Sequence, residues 1–304
     1  MADGFKDFLA KHPGKDLDLG DGVRHHYLDE GAGEPVVMVH GNPSWSFYYR
    51  KLAEALSPDY RVIVPDHIGC GMSSKPGDDL YDYTLERRVR DLETLLFDHL
   101  GVDCGITLVV HDWGGAIGMG LAARNPEKIA RLVILNTAAF HLPKSKGFPW
   151  ALWACRNTPL SAWLVRGLNA FCKGTAAIGC KHHPMPREVR DAYLAPYDSW
   201  ANRIAIHRFV QDIPLRTGDR SDPLLSLTET TLCRFKDTPT LIAWGLKDFV
   251  FDRHFLAEWE KNLPDAEVMR FPEAGHYILE DEAEAIIPRV REFLKENPVF
   301  RTVG

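Results

Sequence analysis

No apolar run in this 304-residue chain approaches the ~20 residues that a membrane-spanning helix requires. The opening stretch, MADGFKDFLAKHPGKDLDLGDG, has no apolar core of the kind a secretory signal carries, so none is expected. Cysteine is sparse. The six residues at 70, 104, 155, 172, 180 and 233 never fall at C-x-x-C spacing, which reads as reduced thiols and an expected cytoplasmic location. Nor is there a large excess of either charge. Thirty-six Lys and Arg stand against 42 Asp and Glu, and a net charge of −6 offers nucleic acid nothing to bind. Internal repeats and low-complexity tracts are lacking too.

What is present is globular: 45% apolar and 26% charged residues, at a length that suits one large α/β domain or one domain with an insertion. Residues Asp16 to Asp29 alternate around Gly20-Asp21-Gly22, predicting a hairpin at a sheet edge. Apolar runs follow at Val36–Val39, Val62–Val64, Leu108–Val110, Leu132–Leu135, Leu241–Trp244 and Val268–Phe271. Helical patterns separate the early ones, notably Thr84 to Leu100. Strands that are apolar throughout, alternating with helices, predict a mainly parallel sheet of about eight strands covered on both faces.

The gap from Leu135 to Leu241 breaks this rhythm. It predicts a helical cap at 139–229 inserted into a core formed by 1–138 and 230–304. Residues 140–233 hold 12 Lys and Arg against 7 Asp and Glu, a net of +5 that leaves −11 for the remainder. Phe148, Trp150, Leu152, Trp153, Leu160, Trp163 and Phe171 make the first part of this insertion strongly apolar. It reads as a helix pair closing a dry pocket over the sheet, with a membrane-surface role as the lesser alternative.

Ile106 to Asn125, ITLVVHDWGGAIGMGLAARN, is a buried strand running directly into a helix. Gly114 and Gly115 supply the small residues such a turn needs. This is the pattern of a nucleophile elbow, with Asp112 where G-x-S-x-G places serine. An Asp before a helix is also a good N-cap, and this stretch alone does not separate the two readings. The rest of the chain does. The first core strand ends in His40-Gly41-Asn42-Pro43, the loop that supplies half an oxyanion hole in such folds, the other half coming from the residue after the nucleophile, Trp113. Both side chains carry N–H donors. Asp248 and His276 each follow a later strand, giving the chain order nucleophile, acid, base. Asn136, after the intervening strand, is not an acid. Alone, Asp248 could cap the following helix, His276 could be a surface histidine and Asn42-Pro43 a simple turn. In this order they predict catalytic Asp112, Asp248 and His276, with Asn42 and Trp113 as anion-binding donors. Asp66 to Ser73 contains G-x-G but lacks the rest of a dinucleotide fingerprint and reads as a tight turn. Cys180-Lys181-His182-His183 is too compact for a tetrahedral metal site.

With HGNPSW (40–45), DHIGCGMSSKP (66–76), HDWGG (111–115), WGLKDFVF (244–251) and AGHYILED (274–281), the chain resembles the haloalkane dehalogenase superfamily of α/β-hydrolases over nearly its whole core. The resemblance implies that Asp112 is the nucleophile, His276 the base, and Asn42 and Trp113 the halide holders. The absence of an acid at Asn136 implies the third branch of that superfamily. HGNPSWSFYYR (40–50) and LNTAAFHLP (135–143) are similar to the β-lactone decarboxylases of bacterial long-chain olefin biosynthesis within that branch. The expected reaction is then conversion of a cis-3,4-dialkyl β-lactone to a cis-alkene and CO2 without any cofactor or metal, with attack at the ring carbon or the carbonyl left open. The expected substrate is apolar, with long alkyl chains, and assembly with the other enzymes of olefin synthesis is implied. Haloalkane dehalogenation is the alternative reaction. Epoxide hydrolysis would need phenols in the cap, for which Tyr193 and Tyr197 are candidates against a role in helix packing.

Overall fold

The computed structural model describes residues 3–158 and 160–299. Eight strands form one sheet: β1 (Lys15–Asp18), β2 (Arg24–Glu30), β3 (Pro35–Val39), β4 (Arg61–Pro65), β5 (Ile106–Asp112), β6 (Ile129–Thr137), β7 (Thr240–Gly245) and β8 (Glu267–Phe271). Their spatial order is β1-β2-β4-β3-β5-β6-β7-β8. β2 pairs antiparallel with β1 and β4, and every other pairing is parallel. The hairpin is at the edge and the apolar runs are the parallel strands, as their residue types predicted. All seven residues of β5 are buried, because helices cover both faces of the sheet's centre.

Six helices precede and begin the insertion: α1 (Asp3–Lys11), α2 (Arg50–Leu56), α3 (Leu85–Glu93), α4 (Trp113–Arg124), α5 (Trp150–Asn157) and α6 (Ala170–Ile178). Six more follow: α7 (Arg187–Leu194), α8 (Ile204–Gln211), α9 (Asp222–Thr231), α10 (Arg253–Asn262), the short α11 (Ile278–Asp281) and α12 (Ala283–Glu296). None of the described helices is long and apolar enough to cross a membrane. α4 is apolar all round because β5, α3 and α9 enclose it.

The segment between β6 and β7 is helical, and α5 and the turn at 163–167 both rest on α8. α8 is itself buried along most of its length, so α5 and that turn form the outermost layer. α9 packs on α4.

The β5–α4 turn is sterically closed. A Cβ at Gly114 would overlap the carbonyl oxygen of Val39, which is backbone and cannot swing aside. Gly114→Ala is expected to cost about 3 kcal/mol or more. Gly174→Ala in α6, where nothing lies within 4 Å of the new methyl, should be neutral or stabilise by up to about 1 kcal/mol. Paired urea titrations measure both.

Candidate active site

Asp112 sits at the end of β5 with φ 51° and ψ −126°, outside the regions open to ordinary L-residues. The turn is pinned from two sides. Thr137 Oγ1 donates to the Asp112 carbonyl, and Gly41 approaches so closely that a Cβ there would strike the Asp112 side chain. The Asp112 side chain makes no capping bond to α4. Instead Oδ1 accepts the backbone N–H of Asn42 at 2.5 Å.

His276 lies in the loop after β8 and is 2% exposed. Its Nδ1 donates to Asp248 Oδ2 at 2.8 Å, and its Nε2 stands 3.6 Å from Asp112 Oδ2. His276 thus stands between the two carboxylates, hydrogen-bonded to Asp248 and facing Asp112. Asp248 is buried and does not cap α10, because Asp252 does that by accepting from the His254 N–H. Asp248 Oδ1 takes the Val250 N–H at 2.7 Å. The His276 loop is held by Asp281, which accepts the Gly275 N–H at 2.7 Å, and by His111 Nε2, which donates to the His276 carbonyl at 2.9 Å.

One supporting residue was visible in the sequence only as a missing acid. Asn136 Nδ2 donates to Asp248 Oδ2 at 3.0 Å, while its Oδ1 accepts the Gly245 N–H at 2.8 Å. Its amide locks the acid-bearing loop to the end of β6. Only its place at the end of a central strand could have drawn attention to it.

Asn42 and Trp113 flank Asp112 and line the same cavity of about 140 Å³. The Trp113 indole N–H has no protein partner among the described residues. Asn42 Nδ2 makes one long bond, 3.3 Å, to the Ile206 carbonyl. The remaining walls are mostly apolar, with Phe148, Leu152, Phe171, Val210 and Phe249 prominent. Trp150, Trp153 and Trp163 do not line the cavity and are exposed instead, Trp150 by 82%. The reason is geometric. α5 is apolar on both faces, and Leu152 rather than its tryptophans points inward.

The two phenols considered for epoxide chemistry are engaged elsewhere. Tyr193 OH donates to Glu280 at 2.6 Å, and that carboxylate also binds Arg50 at 2.5 Å. Tyr197 OH donates to the Ser44 carbonyl at 2.9 Å. Neither residue lines the cavity. The G-x-G loop is a tight turn around Asp66, which accepts N–H groups of Ser46 at 2.7 Å and Met72 at 2.8 Å.

The site is electrostatically tense. Burial raises the Asp112 carboxyl to about pKa 6, against the opposing pull of His276 and of the Trp113 and Asn42 backbone N–H groups. Burial pulls His276 down, but the charge and hydrogen bond of Asp248, helped by Asp112, outweigh it and hold the imidazole above its ordinary value.

The α/β-hydrolase fold family matches residues 34–167 and 186–283. The chain belongs to the α/β-hydrolase family. It is haloalkane dehalogenase-like within it. It is 58% identical to a cis-3-alkyl-4-alkyloxetan-2-one decarboxylase of Shewanella oneidensis, over 93% of this chain and 88% of that one. It is 51% identical to the Xanthomonas campestris protein of the same name, over 94% and 97%. A haloalkane dehalogenase of Mycobacterium tuberculosis is 29% identical over 88% and 91%. Among solved structures, haloalkane dehalogenase DatA of Agrobacterium tumefaciens superposes with a TM-score of 0.82 at 23% identity, over 94% and 97%, a likeness of fold.

The raised carboxyl has a testable thermodynamic sign. A folded pKa of about 6 against an ordinary value of 3.8 means that ionised Asp112 opposes folding. The opposition begins above the unfolded pKa and is complete above the folded one. Asp112→Asn removes the charge and keeps an acceptor for Asn42. It should be more stable than the parent by roughly 2–3 kcal/mol at about pH 8, with the difference fading toward about pH 4. Urea titrations at the two pH values measure it.

Proposed function

We propose that this protein converts cis-3,4-dialkyl β-lactones to cis-alkenes and CO2, with Asp112 as nucleophile, His276 and Asp248 completing the triad, and Asn42 and Trp113 binding the developing carboxylate. The observation that carries this choice is the contrast in relatedness: 58% identity to a decarboxylase along nearly the whole chain, against 29% to a dehalogenase. The site supports it chemically. It offers a desolvated carboxylate, unengaged N–H donors beside it, and apolar walls.

Asp112 attacks the ring carbon that bears the ring oxygen. The new C–O ester bond forms as the ring C–O bond breaks, and that bond's electrons become a carboxylate on the neighbouring carbon. Asn42 and Trp113 hold this carboxylate where a dehalogenase holds halide, and the low dielectric strengthens their grip. The carbon–carboxylate bond then breaks and its electrons form the alkene as Asp112 departs. CO2 leaves, Asp112 is regenerated, and no water or cofactor is consumed. Inversion at the first step followed by anti elimination preserves the cis relation of the alkyl groups. His276, charged above its ordinary pH range and steadied by Asp248, stabilises Asp112 as it leaves.

Alkyl chains need little polar recognition, since each buried methylene contributes about 0.8 kcal/mol. Haloalkane hydrolysis is the second reading, because the same donors and nucleophile suit a halide leaving group.

Incubation with a synthetic cis-β-lactone and, in parallel, with long 1-haloalkanes separates the two. Alkene is measured by gas chromatography and halide by ion analysis. Alkene formation is expected, and fast halide release without alkene would establish the dehalogenase instead. Asp112→Ala should lose turnover by at least ~10³-fold, as removal of an activated nucleophile does. In the parent enzyme kcat/KM should rise with pH through about 6, as Asp112 ionises. A flat profile there would remove Asp112 from the nucleophilic role.

A further inference from the structure

The chain has eight tryptophans, and they divide by location. Trp45, Trp244 and Trp259 are fully buried in the core, and Trp113 is half-buried at the cavity. The four in the insertion, Trp150, Trp153, Trp163 and Trp200, are all exposed, none by less than 47%. Leu160 and Leu168 join them, Leu160 at 67%.

These residues share the outer layer of the molecule. Trp150 and Trp153 are three apart on α5 and so occupy one face. A Cβ at Gly167 would lie 3.3 Å from the Trp163 ring and 3.6 Å from that of Trp200, so these two rings flank one point of the backbone. α5 and the 163–167 turn both rest on α8, so both pairs of indoles belong to the layer packed outside that helix. Removing so much apolar surface from water is what folding ordinarily achieves, and here it is left undone.

The surrounding charge selects an occupant. The insertion carries +5 on a chain of −6. Arg166 lies over the Trp200 ring at 4.8 Å, and neither Arg166 nor Lys173 is ion-paired among the described residues. Lys173 is exposed on α6, which packs against the 163–167 turn. Indoles prefer the zone where hydrocarbon meets hydrated headgroups, with the ring in the apolar layer and the N–H in the wet one. Basic residues beside them meet anionic headgroups. Protein interfaces also draw on Trp and Arg but are depleted in Lys, whereas exposed Lys173 stands on the helix packed beside these indoles.

We propose that this face docks on an anionic phospholipid surface. α5 then has two working sides: Phe148 and Leu152, at and just before its first turn, face the cavity, while Trp150 and Trp153 face the bilayer. Resting on the Proposed function, this places the cavity beside the phase in which dialkyl lactones and alkenes dissolve. The docking itself does not depend on that reaction.

The test uses the full chain and vesicles of phosphatidylcholine alone or equimolar with phosphatidylglycerol. Co-sedimentation measures binding, and quenching of protein fluorescence by brominated phospholipid reports indole insertion. Binding to the anionic vesicles with quenching, weakened by salt, is expected. Trp150→Ser with Trp153→Ser should weaken binding about tenfold or more, and Arg166→Gln with Lys173→Gln should remove the preference for phosphatidylglycerol. Far-ultraviolet circular dichroism confirms that each variant is folded. Absence of binding to either vesicle would overturn the proposal. So would a dimer in light scattering that the tryptophan substitutions dissociate, since that assigns the face to a second copy. Vesicle binding by a protein that makes no alkene would leave this inference standing and reject the reaction proposed above.

Discussion

Everything around Asp112 answers one electrostatic problem: a carboxylate has to be kept ionisable where water is nearly excluded. An isolated charge in such a place would simply take up a proton. The compromise visible here is a pKa of about 6, set by burial on one side and by His276 and two backbone N–H groups on the other. Those N–H groups point correctly only because Asp112 occupies a strained conformation between Gly41 and Thr137. The parallel sheet supplies the rigidity. β3 and β5 are adjacent, so the loop carrying Asn42 and the elbow carrying Asp112 leave the sheet side by side.

The same constraint explains the second tier of contacts. His276 is useful only if its ring is fixed, and three independent elements fix it: Asp248 after β7, His111 in β5 and Asp281 in α11. Asn136 does for Asp248 what Asp248 does for His276. A buried carboxylate with spare lone pairs would be costly, and its hydrogen bonds from Asn136, Val250 and His276 leave little unsatisfied.

The parts of this arrangement that could be read from the sequence are those governed by local chemistry. Continuous apolar runs marked the central strands because parallel strands are buried on both faces. The elbow was legible because only glycine fits at Gly114. The order of Asp112, Asp248 and His276 could be read because each stands at or shortly past the C-terminal end of a strand. What could not be read depends on which face of an element turns inward. α5 carries apolar residues on both faces, so its periodicity gave no direction, and the tryptophans expected over the cavity lie outside while Leu152 lies within. Asn136 is a polar residue whose partner is over a hundred positions away, a pairing that no local pattern encodes.

The proposed reaction also accounts for how one site can serve two chemistries in related proteins. A dehalogenase must bring water to the alkyl–enzyme ester, and its histidine exists to activate that water. A β-lactone opened at the ring carbon carries its own next step. The carboxylate it releases remains attached two bonds away and departs as CO2 without any second reactant. The competition at the ester is then between an intramolecular fragmentation and a hydrolysis that needs a positioned water. Here His276 Nε2 lies 3.6 Å from Asp112 Oδ2, among apolar walls that disfavour water. Dryness that would slow a hydrolase costs this reaction nothing. In the proposed reaction it would also strengthen the one interaction both chemistries share, the hold of Asn42 and Trp113 on the departing anion.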